Sequence, residues 1–307
     1  MIYKVYLDKY IINDEGEDPM QIESLITDLS NLNLISKKEI KYTQLTGGTS
    51  SSIYLLSTRI NESKYIIKLN DPRILESEAY FLNFYNKIDL LPNLLFAEKT
   101  FKYIVYPFIP GSTNYVRNNK TELLVTLVEQ LINNYEPYPN APGWGWAEDL
   151  SNSWSDFLLS RMTESHKTLD SYLDKKDHTL IFSIINNSNQ VTYHGEPFLL
   201  HGDCGIHNFI FNKGKLSGII DPTPVFGDPL YDLIYAFCSS PDNLTKETIS
   251  TAVSHLKFLQ NIDSHIIYRN VIVGLYFRLA TCIRHHPNDL DEYLIAWNYW
   301  TSLVKYT

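Results

Sequence analysis

The chain has little cysteine and lacks any pair of cysteines at the spacing typical of a metal site. Its 307 residues include three cysteines, at positions 204, 238 and 282. An odd number of scattered cysteines argues against a disulfide framework, which small secreted domains use in place of a large core. We therefore expect a protein adapted to a reducing compartment, and we predict a cytoplasmic location.

The chain also lacks an excess of basic charge and a long apolar run. Its formal net charge is −9 at pH 7, whereas binding to nucleic acid requires a basic face. We therefore expect no nucleic acid partner, and the acidic balance is compatible with a cationic small molecule. No apolar run approaches the roughly 18 residues of a membrane-spanning helix. The first five residues lack the apolar core of a signal peptide, so we expect no membrane partner. Nothing in the sequence indicates an oligomeric state.

The hydrophobic patterns divide the chain into a strand-rich first part and a mostly helical second part. Strand-like runs occupy residues 40–44, 53–56, 65–69, 94–97 and 103–106, and helical spacing occurs at about 21–32 and 75–86. Further helical patterns cover about residues 120–134, 151–174, 178–188, 229–239, 244–260, 264–284 and 288–304. The segment Tyr106–Gly111 contains two prolines and a glycine, which is typical of a stiff connector. We predict an α+β fold whose parts cover residues 1–106 and 112–307, joined by residues 107–111.

Two short motifs interrupt the helical part. Leu200–Asn208 and Gly218–Asp221 contain Asp203, which precedes Asn208 by five residues and Asp221 by eighteen. This spacing provides two carboxylates and an amide oxygen within a short stretch of chain. Phosphoryl transfer from Mg-ATP requires a carboxylate near the acceptor hydroxyl and oxygen ligands for the metal. The motifs therefore indicate a site for such chemistry.

At these motifs the sequence resembles the aminoglycoside phosphotransferase and choline kinase family, the small-molecule branch of the protein-kinase-like fold. The matching segments, within roughly residues 40–240, are His201-Gly202-Asp203, Asn208, Ile220-Asp221 and Gly227–Leu233. The resemblance implies a bilobal fold, with a small antiparallel-sheet N-lobe and a larger, mostly helical C-lobe. It further implies dependence on ATP and Mg²⁺. Asp203 would accept or orient the acceptor's hydroxyl proton, and Asn208 and Asp221 would hold the metal.

A glycine-rich segment, Leu45–Tyr54, lies between two strand-like runs. Its two glycines allow a close approach to phosphates, to which backbone N–H groups and serine hydroxyls can donate hydrogen bonds. The segment lacks the closing Gly-Lys-Ser/Thr of a Walker A loop and resembles the family's nucleotide-covering hairpin. Gly48, Ser51 and Ser52 are the candidate phosphate contacts. The alternative is a hairpin turn without a ligand.

Lys68 ends the apolar run Tyr65–Lys68, and a lysine on a buried strand must be paired or face a ligand. The resemblance implies that Lys68 contacts the α- and β-phosphates and pairs with a glutamate on the next helix. Glu78 is the favoured partner because the segment that it begins matches the family's pattern. Glu76 is the alternative, although it points to another face of the helix. The alternative without a functional role is that Lys68 is a lysine on the surface of the strand.

By the same resemblance, the connector 107–111 is the hinge that binds adenine through one C=O and one N–H. Prolines cannot donate, so the donor must be Phe108 or Ile109. The acceptor is the carbonyl of Tyr106 or Pro107. We favour the pair formed by the Pro107 C=O and the Ile109 N–H.

An aromatic and acidic loop supplies the candidate acceptor contacts. It contains Trp144, Trp146, Glu148 and Asp149. Aromatic rings and carboxylates suit a cationic or sugar-like acceptor. Alternatively, the two tryptophans only fix the loop to the helix that begins near Ser151.

Two departures from the protein kinases point to small acceptors. Asp221 is followed by Pro222-Thr223-Pro224 in place of Phe-Gly, and no Ala-Pro-Glu follows. No long activation segment fits behind Asp221, so protein substrates are disfavoured. We hypothesise an ATP- and Mg²⁺-dependent phosphotransferase that acts on a hydroxyl of an aminoglycoside-, amino-alcohol- or sugar-like molecule. The alternative is a catalytically idle kinase-like protein that binds a ligand or partner. It predicts a broken set of site residues, whereas this set is intact.

Overall fold

The computed structural model describes residues 19–32, 34–35, 40–45, 51–58, 63–187, 196–258 and 262–305. The chain forms two compact units. The first unit comprises Met1–Tyr115 and Phe209–Asp221, and the second comprises Val116–Asn208 and Pro222–Thr307. The predicted division at residues 107–111 stays a prediction. The sequence did not indicate that Phe209–Asp221 joins the first unit.

The strands and helices that the sequence patterns predict occur in the predicted order, and the structure adds some further short strands. The strands are β1 (Ile40–Leu45), β2 (Ser52–Thr58), β3 (Lys64–Leu69), β4 (Phe96–Ala97), β5 (Tyr103–Pro107), β6 (Trp144–Trp146), β7 (Asp149–Ser151), β8 (Phe198–Leu200), β9 (Phe209–Asn212), β10 (Lys215–Ile219) and β11 (Val225–Gly227). The α-helices are α1 (Pro19–Asn31), α2 (Pro72–Phe84), α3 (Lys120–Gln130), α4 (Trp154–Leu169), α5 (Lys175–Asn186), α6 (Leu230–Cys238), α7 (Lys246–Ser254), α8 (Ser264–His285) and α9 (Leu290–Lys305).

The first unit is built on an antiparallel sheet with the strand order β1-β2-β3-β5-β4. Both faces of β3 are covered, because Ile66 packs in a cluster with Leu75 and Ala79 of α2 whereas Ile67 packs in a cluster with Ile22 of α1. Two covered faces explain why this strand lacks the simple alternation of a half-buried one. The antiparallel hairpin β9–β10 also belongs to this unit.

Helix α2 begins earlier than the sequence pattern predicts. It was expected from about Leu75, but it begins at Pro72. The Asp71 side chain accepts a hydrogen bond from the Arg73 N–H (2.9 Å), and Pro72 occupies the first turn. An acidic N-cap followed by proline is a common helix start. The pair Asp71-Pro72 therefore follows shortly after the end of β3 and starts α2.

The second unit combines helices α3–α9 with an antiparallel sheet of order β7-β6-β11-β8. The largest buried side chains in this unit include Trp297, Trp300, Tyr276 and Tyr293, on α8 and α9. Strands β6 and β7 lie where the sequence pattern predicted only a loop. The α+β fold class is confirmed, with antiparallel strands early in the chain and mostly helices later.

We expected no apolar run of membrane-spanning length from the sequence, but helix α8 is long and apolar enough to cross a membrane by length and composition alone. However, 56% of its most apolar window is buried inside the protein, as in the core helix of a soluble protein. The helix is therefore weak evidence for a membrane span, and the predicted cytoplasmic location stays a prediction.

Candidate active site

The first unit contains a buried cluster of three charged side chains, Lys68, Glu78 and Asp221, which we call the lysine cluster. Lys68 Nζ lies 2.5 Å from Oε2 of Glu78 and 3.2 Å from Oδ1 of Asp221. Burial alone would lower the pKa of Lys68, but the two carboxylates outweigh it and hold that pKa above its usual value. Lys68 therefore stays positively charged although its side chain is buried. Glu76 is exposed, so Glu78 is the partner of Lys68.

Asp221 has an unusual backbone conformation. Its φ angle is 58°, in the left-handed region that residues other than glycine rarely adopt. Such strain costs about 1–3 kcal/mol and is found mostly at functional positions. The side chain of Asp221 is 27% exposed, in contrast to the two buried partners. One carboxylate of the cluster is therefore open to an additional ligand.

The predicted phosphate contacts lie near the start of β2. The Ser51 hydroxyl accepts a hydrogen bond from the Asn70 side-chain amide (2.8 Å), and Ser52 is the first residue of the strand. Ile53 on the same strand lies opposite Lys68 of β3 in the register. This register brings the segment next to the lysine cluster. Gly48 lies outside the described residues.

The connector after β5 leaves one of the two candidate donors. The Phe108 N–H donates to the Lys64 C=O (3.0 Å), which extends the pairing of β3 with β5. Ile109 is therefore the remaining donor. It also lines a small apolar pocket of the first unit. The other lining residues are Leu45, Ile53, Ile66, Tyr106, Ile210 and Ile220.

In the second unit, a loop over residues 201–208 connects β8 to β9, and Asp232 of α6 fixes its backbone. The buried Asp232 carboxylate accepts hydrogen bonds from the N–H groups of His201 (2.9 Å) and Gly202 (3.0 Å). The Tyr135 hydroxyl donates a third (2.6 Å). Burial raises the pKa of Asp232 to about 6, against these three bonds. Asp232 therefore supports the loop through these hydrogen bonds. The Asp228 side chain accepts from the Leu230 N–H at the start of α6 (2.9 Å).

Gly202 is required at its position by space and by conformation. Its φ angle is 80°, and a Cβ atom there would lie 1.8 Å from the carbonyl oxygen of Thr223. The Thr223 N–H in turn donates to the His201 C=O (2.9 Å). The segment that follows Asp221 thus packs directly against the loop, and no larger residue fits between them.

Asp203 is held by three side chains. The Tyr235 hydroxyl donates to Oδ1 (2.5 Å), and Oδ2 contacts Nδ2 of Asn208 (2.9 Å) and Nε2 of His207 (3.1 Å). Burial would raise the pKa of Asp203, but the hydrogen bonds and charge of His207, with the bond from Tyr235, hold it well below its usual value. Asp203 is therefore a carboxylate at neutral pH, in a fixed orientation. His207 had no predicted role, and the structure shows that it contacts Asp203.

Asn208 is oriented by the same loop. Its side chain is buried, and Nδ2 donates both to the carboxylate and to the backbone carbonyl of Asp203 (2.9 and 3.0 Å). Because the amide nitrogen faces Asp203, the amide oxygen points away from it. An oxygen fixed in this way is a suitable ligand for a hard cation.

The second unit also contains a pocket lined in part by Tyr235, a hydrogen-bond partner of Asp203, and we call it the arginine pocket. It contains about 590 Å³ of empty space when the open solvent at its mouth is counted. Tyr235 and Ser239 of its lining both contact the 201–208 loop, since the Ser239 hydroxyl accepts from the Ile206 N–H (3.2 Å). Sequence reasoning missed this pocket. The available signal was Arg161 and Arg278, two charges within the otherwise apolar spacing of α4 and α8.

The four predicted acceptor contacts do not line the arginine pocket. Trp144 packs against Trp154 with ring centroids 6.1 Å apart, and Trp146 meets Phe157 edge-on at 5.5 Å. Glu148 and Asp149 are exposed. These contacts favour the alternative that the tryptophans fix β6 to α4. A substrate role for the four residues stays a prediction.

Comparison with known protein families decides the general class of the protein. A family model described as the phosphotransferase enzyme family matches residues 41–254, which is more than half of the chain. The chain belongs to this phosphotransferase family. Membership confirms the resemblance drawn from the motifs and the prediction that the protein is an enzyme, a phosphotransferase. A comparison with curated proteins finds no significant match.

Solved structures similar to this phosphotransferase share its fold at low sequence identity. The streptomycin–ATP ternary complex of APH(2″)-IIa is 18% identical, with a TM-score of 0.59, and the match covers 91% of this chain and 96% of that chain. Choline kinase LicA from Streptococcus pneumoniae is 15% identical, with a TM-score of 0.58 and coverage of 94% and 100%. A choline kinase from Cryptosporidium parvum Iowa II is 11% identical, with a TM-score of 0.58 and coverage of 92% and 94%.

Proposed function

We propose that this phosphotransferase uses ATP and Mg²⁺ to phosphorylate a hydroxyl group of a small molecule. The observation that carries the proposal is the buried Lys68, which Glu78 and Asp221 keep charged. Lys68 lies beside two carboxylates although one would balance its charge, and the second, that of Asp221, is partly exposed and can bind the cation of a ligand. In a phosphotransferase that ligand is the nucleotide, because its phosphates bind cations and its metal binds carboxylates.

The apolar pocket of the first unit supports a nucleotide as the phosphoryl donor. Its walls are branched aliphatic side chains and Tyr106, which suit the faces of a flat base. We propose that the Ile109 N–H and the Pro107 C=O bind the edge of the adenine. The proposed phosphate contacts are Lys68, Ser51, Ser52 and Gly48. ATP is also present in the APH(2″)-IIa complex that shares this fold.

Asn208 and Asp221 are the proposed ligands of Mg²⁺. Their donor set fits the ion, because one carboxylate and one amide oxygen are the hard ligands that Mg²⁺ takes beside phosphates and water. The Asn208 oxygen is oriented by the bonds from its nitrogen to Asp203, and the Asp221 carboxylate is partly exposed. When bound, Mg²⁺ neutralises charge on the transferring phosphoryl group.

Asp203 is the proposed catalytic residue. The acceptor's hydroxyl oxygen forms a bond to the γ-phosphorus while the bond from that phosphorus to the β–γ bridging oxygen breaks. The products are ADP and a phosphate monoester, and the hydroxyl proton passes to Asp203 and then to solvent. Because hydrogen bonds hold the pKa of Asp203 low, its main effect is to orient the hydroxyl, and proton transfer comes late. Late transfer fits the loose transition state of phosphoryl transfer.

ATP consumption against an acceptor panel tests the proposal. The panel contains aminoglycosides, amino alcohols, sugars, sugar acids and nucleosides, and ADP release is followed for the wild type and for Asp203→Asn. We expect acceptor-dependent ADP release that falls about 10²–10⁴-fold in the variant, the usual contribution of a general base, while nucleotide binding persists. Nucleotide binding without transfer to any acceptor would favour the idle kinase-like alternative.

A further inference from the structure

The charged residues that line the arginine pocket are positive, whereas the sequence suggested a site compatible with a cationic molecule. Its lining, all of it in the described part of the second unit, includes Arg161 and Arg278 but no aspartate or glutamate. The remaining walls are mostly apolar or aromatic, with Trp154, Tyr231 and Phe277 among them. The protein as a whole carries a formal charge of −9. The charged side chains of the pocket are therefore opposite in sign to the net charge of the whole protein.

Arg161 is fixed by aromatic side chains rather than by a carboxylate. Its guanidinium lies 4.6 Å from the ring centroid of Phe277 and 5.5 Å from that of Trp146. Nη1 donates to the Tyr231 hydroxyl. Among the described residues, no carboxylate forms an ion pair with Arg161. A guanidinium has five N–H donors in a rigid fork, so this one retains donors for a ligand.

Arg278 is fixed in a similar way. Nε donates to the Tyr293 hydroxyl (2.9 Å), and the guanidinium lies 5.3 Å from that ring's centroid. Again no ion pair to a carboxylate forms within the described ranges. The nearby acidic side chains Asp289 and Glu292 pair instead with Arg117, at 2.8 and 3.1 Å. The pocket's two positive charges are thus left for a ligand to neutralise.

We propose that the acceptor of this phosphotransferase carries an anionic group, a carboxylate or a phosphate, which Arg161 and Arg278 bind. The inference rests on the proposed function, since it names the substrate class of that site. Guanidinium forks match carboxylate and phosphate oxygens, and a cationic acceptor would meet two like charges. Tyr235 and Ser239 connect the pocket to the Asp203 loop, so a hydroxyl on the same molecule can reach Asp203.

Two series of acceptors, whose members differ mainly in one charged or neutral group, test this inference. One series consists of glycerate, glycerol 3-phosphate, glycerol and 3-amino-1,2-propanediol, and a second of gluconate, glucose 6-phosphate, glucose and glucosamine. We measure kcat and KM with ATP, and we measure binding of each compound by calorimetry. We expect an anionic member of at least one series to exceed its neutral analogue at least tenfold in kcat/KM, and its amine analogue by more. The carboxylate and phosphate members show which anion is used.

Variants of the two arginines identify the binding groups. Loss of a charged hydrogen bond corresponds to about a tenfold to hundredfold change. We expect Arg278→Gln and Arg161→Gln to raise KM for the anionic acceptor by that factor, with KM for ATP unchanged. Arg161→Lys serves as a second variant because it keeps the positive charge among the aromatic side chains around Arg161. We expect it to retain part of the binding. Arg284→Gln is the matched control, because Arg284 is an exposed residue of the same helix as Arg278 outside the pocket.

The outcomes separate the inference from the proposed function. Phosphorylation of the amines in preference to the anions would overturn the inference and leave the phosphotransferase function intact. Binding of the anions that depends on Arg278, without phosphorylation of any acceptor, would support the anion site and count against the function. Absence of anion binding, or anion binding that Arg278→Gln leaves unchanged, would overturn the inference.

Discussion

The hydroxyl of Tyr235 donates a 2.5 Å hydrogen bond to Oδ1 of Asp203, and Tyr235 also lines the arginine pocket. One side chain therefore contacts both the proposed catalytic carboxylate and the proposed acceptor pocket. Asp203 is half-buried, and the phenol bonds to one of its two oxygens. The other oxygen contacts His207 and Asn208.

The variant Tyr235→Phe tests this relationship, because it removes the hydroxyl and keeps the ring. A hydrogen bond to a charged group contributes about 1.5–3 kcal/mol, so we expect kcat/KM to fall about tenfold to a hundredfold while the fold persists. Steady-state kinetics measure the effect. Tyr172→Phe, at an exposed tyrosine, is the control. Equal kinetics of Tyr235→Phe and wild type would show that the bond does not orient Asp203.

A second prediction separates stability from activity in the lysine cluster. The variant Lys68→Met leaves Glu78 buried without its counter-charge, which costs about 3–5 kcal/mol in the free energy of unfolding. In the double variant Lys68→Met/Glu78→Leu the pair is replaced by apolar groups, which is often neutral or stabilising. We expect urea unfolding to show recovered stability in the double variant and both variants to lack phosphotransferase activity. A double variant as unstable as the single one would contradict the burial argument.

A third prediction concerns the space at Gly202. Gly202→Ala places a Cβ atom 1.8 Å from the Thr223 carbonyl oxygen, so the backbone of the 201–208 loop must shift. Gly214 has a similar φ angle of 77° but nothing within 4 Å of its Cβ position. Gly214→Ala therefore controls for left-handed strain, which costs about 1–2 kcal/mol. We expect Gly202→Ala to lower activity and the midpoint of thermal unfolding well beyond Gly214→Ala. Similar effects of the two variants would attribute the cost to conformation alone.

The sequence predicted the chemistry of this protein better than its internal arrangement. The spacing of Asp203, Asn208 and Asp221 and the burial of Lys68 follow from local pattern, because charged groups within apolar runs need partners. The choice of Glu78 over Glu76 came from the match to the family's pattern, together with the helix geometry that places Glu76 on another face. Whether Phe108 or Ile109 remains free as a donor depends on strand register, which the sequence alone does not specify.

The arginine pocket could not be predicted in the same way. Its lining comes from α4, α6 and α8, and its charge depends on which carboxylates pair elsewhere. Asp289 and Glu292, for example, pair with Arg117 through tertiary packing. Trp144 and Trp146 pack against α4, and a substrate role for them stays a prediction.

The low pKa of Asp203 predicts a pH dependence of stability. A carboxyl group whose pKa is lower in the folded protein stabilises the fold above its ordinary pKa of about 3.9. That stabilisation is lost as the pH falls toward the folded value. We therefore expect Asp203 to add no pH dependence of its own above about pH 5 to the difference in unfolding free energy between wild type and Asp203→Asn. Below about pH 4 it should shift against the wild type.

Denaturant unfolding across this pH range measures the difference. A difference that does not change below about pH 4 would mean that the pKa of Asp203 is not lowered in the folded protein. That result would contradict the hydrogen bonding from His207 and Tyr235 as the cause of the low pKa.

Transfer of the labelled γ-phosphoryl group of ATP to a small hydroxyl compound tests the central claim most directly. Incubation of wild type and Asp203→Asn with the acceptor panel, followed by chromatography of the small molecules, gives the product and its amount. The account predicts label in a phosphate monoester, ADP in equal amount, and a loss of about 10²–10⁴-fold in Asp203→Asn with ATP binding retained. Label transferred only to protein, or wild-type yield from Asp203→Asn, would contradict it.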